Sequence, residues 1–96
     1  ERFAMTPHGQ LVSTYFLSMN RNKECREVDL KSAAGREEIR RLAREADVVV
    51  ENFRTGVADR LGVGYADLSG ENPRIIYASI SGFGSEGEWA QKAGYD

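Results

Sequence analysis

The chain has 96 residues and a formal net charge of −2, from 13 basic and 15 acidic side chains well mixed along its length. That balance does not make a general nucleic-acid-binding surface, and no apolar run approaches the roughly 18 residues of a membrane span. One small domain is expected, burying about 60–65% of its unfolded surface around a modest core. The single cysteine, Cys25, cannot form an internal disulfide; with no secretory signal pattern, a cytoplasmic setting is the simpler expectation. The chain opens at Glu1 without an initiator Met and stops at Asp96, which suggests a piece of a longer protein.

Residues 1–23 read as an irregular lead-in, with Pro7 and Gly9 in its first half and a short apolar patch, Thr14 to Met19, that is either a helical turn or a packed loop. Residues 24–96 read as a βαβαβ portion. Arg26-Glu27-Val28-Asp29-Leu30 alternates weakly and is a candidate first strand, although Arg26 sits where an apolar partner to Val28 and Leu30 belongs. Ser32 is suited to cap a helix over about Ala33 to Ala46. Ile39, Leu42, Ala43 and Ala46 fall at i, i+3, i+4 and i+7, which makes one apolar stripe.

Val48-Val49-Val50 then predicts a strand apolar on both faces, of the kind found in a parallel sheet covered by helices. Gly56 to Gly62 predicts a short helix closed by Gly62, and Tyr65 to Leu68 another, ended by Asn72-Pro73. Arg74 to Ser81 is the third strand, stopped by Gly82-Phe83-Gly84. The fold class expected is α/β: a partial, Rossmann-like parallel sheet. In such sheets ligands sit outside the carboxyl ends of the strands, which directs attention to Asn52, Phe53 and Arg54.

Gly82, Gly84 and Gly87 have the G-x-G-x-x-G spacing, but a dinucleotide site needs a helix N-terminus directly afterwards. Glu86 and Glu88 also place negative charge where phosphate would go, so tight backbone turning is the simpler role. His8 reads as a loop histidine. Cys25 has no histidine near it in sequence and reads as inert. Zinc spacing, a P-loop and a serine-nucleophile elbow are absent from the sequence, and no metal is expected. Lys23, Lys31, Arg54 and Arg60 cluster near predicted sheet ends, where cations are suited either to a phosphorylated cofactor or to plain solvation.

Four blocks together resemble the family III CoA-transferases, the group containing formyl-CoA transferase, carnitine CoA-transferases and α-methylacyl-CoA racemase. They are Tyr15 to Lys23 (YFLSMNRNK), Val28 to Lys31 (VDLK), Ala46 to Val57 (ADVVVENFRTGV) and Asn72 to Gly84 (NPRIIYASISGFG). The resemblance implies a Rossmann-like large domain, a homodimer of interlocked chains, and coenzyme A as carrier. By motif position it implies CoA contacts at Val28, Asp29, Leu30, Lys31, Asn52, Phe53, Arg54, Arg60, Ala93, Gly94, Tyr95 and Asp96. Leu30 and Phe53 would hold the adenine, and Lys31 and Arg60 would meet phosphates.

Two departures qualify this. Glu24-Cys25-Arg26 replaces the family's usual basic-small-aliphatic run. The family's nucleophilic aspartate also lies further along the chain than the block that Asp96 matches, so no catalytic residue is expected within these 96. In the transferases that aspartate takes CoA as an aspartyl thioester and passes it to an acceptor acid. In the racemase branch a histidine stands where this chain has Tyr95, and a phenol with a pKa near 10 is a poor base at neutral pH. The expected activity is therefore CoA transfer between an acyl-CoA and a carboxylic acid. The alternatives are a truncated module that binds CoA or itself without catalysis, an acyl-CoA racemase, and a dinucleotide-binding domain.

Overall fold

A computed structural model describes residues 3–94. Residues 3–13 differ from the expected irregular lead-in. Strands β1 (Phe3–Met5) and β2 (Leu11–Ser13) form an antiparallel hairpin in the register Phe3↔Ser13, Ala4↔Val12, Met5↔Leu11. Its turn is closed by Thr6, whose backbone N–H donates to the Gln10 carbonyl and whose Oγ1 accepts from the Gln10 N–H, with Gly9 at φ +79°. Three-residue arms are too short for alternation to show in the sequence. Helix α1 (Thr14–Met19) follows directly, capped by the Ser13 hydroxyl, which resolves the apolar patch as a helix.

The candidate strand Arg26–Leu30 does not form. Asp29 draws the chain into a local turn instead. Its side chain accepts from the Lys31 N–H at 3.0 Å, and its carbonyl accepts from the Ser32 N–H and hydroxyl. An aspartate that satisfies nearby donors in this way competes with a sheet ladder. Arg26 meanwhile reaches across to Glu38.

Helix α2 (Ala33–Glu45) starts where expected, with the Ser32 hydroxyl accepting from the Gly35 N–H at 2.9 Å. Gly35 is buried against the Asp29 carbonyl, where a Cβ would collide. Strand β3 (Val48–Glu51), helices α3 (Val57–Arg60) and α4 (Tyr65–Glu71) and strand β4 (Ile76–Ser79) complete the fold. β3 and β4 are parallel, with Val48↔Ile76 through Glu51↔Ser79 in register. They form one βαβ unit. Among the described residues this parallel sheet has two strands rather than the three expected.

The core lies between one face of this sheet and helices α2 and α4. Ala43, Leu68 and Ile75 are its buried centre, with Ile39, Ala46, Val49 and Tyr77 packed around them. Asn72 locks the layers, donating from Nδ2 to the carbonyls of Ala43 and Ala46 at 3.0 Å each. The opposite sheet face is open: Val50 is 60% and Ile76 63% exposed. The valine run is therefore covered on one face in this chain, not on both. Leu42, placed in the helix stripe by its spacing, is also exposed, because the sheet meets α2 through the smaller Ala43.

Candidate functional site

Parallel pairing puts the carboxyl ends of β3 and β4 side by side. The Ile80 N–H donates to the Glu51 carbonyl at 2.9 Å, one step beyond the ladder, and Asn52 Nδ2 donates to the Ile80 carbonyl at 2.7 Å. Asn52 thereby splices the two strand ends, and among the described residues its Oδ1 accepts from no donor. The Glu51 carboxylate accepts from the Phe53 N–H at 2.7 Å, which turns the chain sharply out of the strand. Thr55 donates its hydroxyl to the Ala90 carbonyl at 2.9 Å, tying the segment after β4 back to β3.

The segment after β4 returns to the same edge through two glycines. A Cβ on Gly82 would lie 2.6 Å from Gly94 Cα, and the reverse holds for Gly94, so the two backbones touch where neither has a side chain. Here Gly82 serves close backbone approach. Gly87 is followed by turns and not by a helix, which removes the structural basis of a dinucleotide motif. Phe83 and Trp89 stack edge to face at 5.4 Å, and Lys92 lies 4.3 Å from the Trp89 ring centre, stiffening the segment.

Two adjoining hollows result. A cleft of about 140 Å³ is lined by Asn52, Phe53, Arg54, Ala93 and Gly94, with Thr55, Ser81, Gly82, Ala90 and Lys92. A second, almost wholly apolar hollow of about 190 Å³ brings Leu30 to Phe53 beside Ile39, Val63 and Tyr77. Six of the twelve expected contact residues thus meet at one sheet edge, and Phe53 faces both hollows. A complete small-molecule site runs about 300–1,000 Å³, so each hollow is part of a site rather than a whole one.

The others are placed differently. Val28, Asp29 and Lys31 line neither hollow; Asp29 shapes the turn before α2. Arg60 folds back over Gly56, its Nη1 3.2 Å from where a Cβ would stand, so the lack of a side chain at Gly56 leaves it room. Gly56 borders a further cleft of about 380 Å³ that shares Phe53, Arg54 and Thr55 with the first. Tyr95 and Asp96 lie outside the described residues. Of the earlier candidates, His8 is exposed in the hairpin turn, Cys25 is exposed, and Lys23 donates to the Met19 carbonyl at 2.7 Å. Sequence reasoning missed Thr55, Ser81 and Lys92; a hydroxyl directly after Asn52-Phe53-Arg54 was the available signal for the first.

The strongest electrostatic perturbation lies elsewhere: hydrogen bonds from Arg41 and Arg26 hold the Glu38 carboxyl at about 2. Arg44, bridging Glu71 and Glu37, is pushed further up. Near the hollows, burial raises the Tyr77 phenol, with the charges of Glu51, Asp59 and Asp67 adding to it; its hydroxyl donates to the Val63 carbonyl at 3.0 Å. A phenol raised in this way stays protonated at neutral pH and serves as a donor, not as a base.

The family profile for "CoA-transferase family III" matches residues 2–96. The chain belongs to CoA-transferase family III. Family III relatives include an "Acyl-CoA transferase" of Fusarium pseudograminearum, 51% identical over 85 residues, covering 88% of this chain and 19% of that protein. The human "Succinyl-CoA:glutarate CoA-transferase" is 46% identical over 84 residues, with coverage of 88% and 19%. Among solved family III structures, a "CAIB/BAIF family protein" from Brucella suis superposes with a TM-score of 0.90 at 45% identity, over 98% of this chain and 25% of that one. The chain thus spans about a fifth of the length of the curated relatives it matches. The mixed α/β fold with a small parallel sheet is that of the corresponding part of the family.

Proposed function

We propose that this protein acts in CoA transfer between an acyl-CoA and a carboxylic acid, and that the β3–β4 edge is one wall of its CoA site. The observation that carries the reading is the meeting of Leu30 with Phe53 in one apolar hollow, next to the cleft that gathers Asn52, Arg54, Ala93 and Gly94. These residues suit the coenzyme. Leu30 and Phe53 offer apolar contact to a purine, Asn52 Oδ1, which accepts from no donor among the described residues, suits an amino or amide N–H, and Arg54, Lys31 and Arg60 bring positive charge for phosphates. Bound CoA supplies the thiol that carries the acyl group; this chain's residues bind and orient it.

The chemical step of the proposal runs through an aspartate beyond residue 96: its carboxylate attacks the acyl-CoA carbonyl and displaces CoA thiolate to give a mixed anhydride, the thiolate attacks the aspartyl carbonyl and releases the donor acid, and the resulting aspartyl-CoA thioester passes CoA to the acceptor acid by the reverse steps. A cytoplasmic homodimer with a Rossmann-like large domain completes the reading. Its test is calorimetric titration of the full-length protein with CoA and with NAD. Saturable binding of CoA and none of NAD is expected; binding of NAD without CoA would overturn the assignment. Transfer of CoA from succinyl-CoA to a panel of carboxylic acids, with no exchange of the α-proton of a branched acyl-CoA, separates transferase from racemase.

A further inference from the structure

Residues 81–94 form neither helix nor strand, so no ladder of backbone bonds fixes their path. All of them are exposed except Ala90 and Ala93, which are half-buried. Inside the segment, the Ser81 hydroxyl accepts from the Gly84 N–H at 3.0 Å and Phe83 packs edge to face on Trp89. The approach of Gly94 to Gly82 brings the two ends together, as in an Ω-loop. These contacts shape the loop without attaching it to its surroundings. Thr55, half-buried in the turn after β3, supplies the attachment. Its Oγ1 donates to the Ala90 carbonyl at 2.9 Å and stands 3.4 Å from the Gly84 carbonyl. A hydroxyl has one proton to give, and the Ala90 carbonyl is the nearer acceptor.

The loop and the turn after β3 build the smaller cleft together: Asn52 to Thr55 come from the turn, and Ala90, Lys92, Ala93 and Gly94 from the loop. Gly84 and Ser85 of the loop also border the larger cleft beside Gly56, as Thr55 does. We infer that Thr55 is a positioning residue of the CoA site: its hydroxyl seats the 82–94 loop through Ala90, so that both clefts are formed before the coenzyme arrives. This deepens the CoA reading and rests on it. An untied loop would have to be ordered by the ligand, and that ordering is subtracted from the affinity. The residue type suits the task. A β-branched side chain is stiff at χ1, which holds the hydroxyl on its acceptor. With its proton spent on Ala90, Thr55 acts through the loop and not as a donor to the coenzyme.

The test follows loop and ligand together in the full-length protein: hydrogen–deuterium exchange of the 82–94 segment by mass spectrometry, and CoA affinity by calorimetry, for the unmodified protein and its Thr55→Val, Thr55→Ala and Thr55→Ser variants. Val keeps the shape and Ala adds no bulk; both remove the donor, which Ser retains. Thr55→Val and Thr55→Ala are expected to speed exchange in 82–94, leave β3 and β4 unchanged, and weaken CoA binding about three- to tenfold, the worth of one hydrogen bond. Thr55→Ser is expected to restore slow exchange and most of the affinity. Weaker CoA binding with unchanged loop exchange would overturn the inference, because Thr55 would then be touching the coenzyme itself. Faster exchange with unchanged affinity would overturn it as well, as would a Ser variant no better than Ala. Absence of CoA binding in the unmodified protein would instead overturn the functional reading beneath it, and this role with it.

Discussion

The two faces of the β3–β4 sheet come from the same eight residues and meet opposite surroundings. Val49 and Tyr77 point into a layer built by Ile39, Ala43 and Leu68, while Val48, Val50 and Ile76 point away from it and stay exposed. Stability in this chain is therefore concentrated on one face. Apolar side chains on the other face add β propensity and little burial. The edge that joins the faces belongs to neither: Asn52, Glu51 and Thr55 spend hydrogen bonds on fixing strand ends and returning the segment after β4, and that precision is what a binding surface needs.

Substitutions along this contrast are expected to grade steeply. Leu68 is fully buried at 0% exposure, and Leu68→Ala should cost about 2–5 kcal/mol in urea denaturation; a cost under about 1 kcal/mol would mean the core lies elsewhere. Asn72→Ala removes the bonds to Ala43 and Ala46 and strands two partly buried carbonyls. A loss of about 1–3 kcal/mol is expected by the same measurement.

A matched pair tests the faces directly. Val49→Thr puts a hydroxyl against the apolar layer and should cost about 1 kcal/mol or more, while Val50→Thr, on the open face, should stay within about 0.5 kcal/mol. Equal costs would erase the distinction. The smallest effect is at the helix surface. The Glu38 carboxyl is depressed to about 2 by Arg41 and Arg26. Its contribution is therefore present above the usual carboxylate range and lost as pH falls toward 2. Carboxyl-carbon NMR titration should place its midpoint near 2; a midpoint above 4 would show that the pairs with Arg41 and Arg26 do not persist in solution.

Much of this architecture is written locally. Ser32 as cap, the Ile39–Ala43–Ala46 stripe, Gly62 as helix stop and Asn72-Pro73 as a boundary all act within a turn or two of themselves, so the sequence displays them. Arg26–Leu30 misled because its weak alternation competes with Asp29, whose side chain satisfies the following backbone. Double-sided burial of the valines was illegible for a different reason: what covers a sheet face is set by segments far away in the chain. The site divides the same way. Asn52-Phe53-Arg54 could be read from the strand end, but the approach of Gly94 to Gly82 is a tertiary contact with no local signature.

The central claim, that the β3–β4 edge with Leu30 forms a wall of a CoA site, is tested most directly by amide NMR shifts during a CoA titration. The expected result is saturable shifts at Leu30, Lys31, Asn52 to Thr55, Ser81, Gly82 and Gly94, with the β1–β2 hairpin and Val48 unmoved. Shifts confined to the hairpin or to the open sheet face, with the strand ends silent, would contradict it.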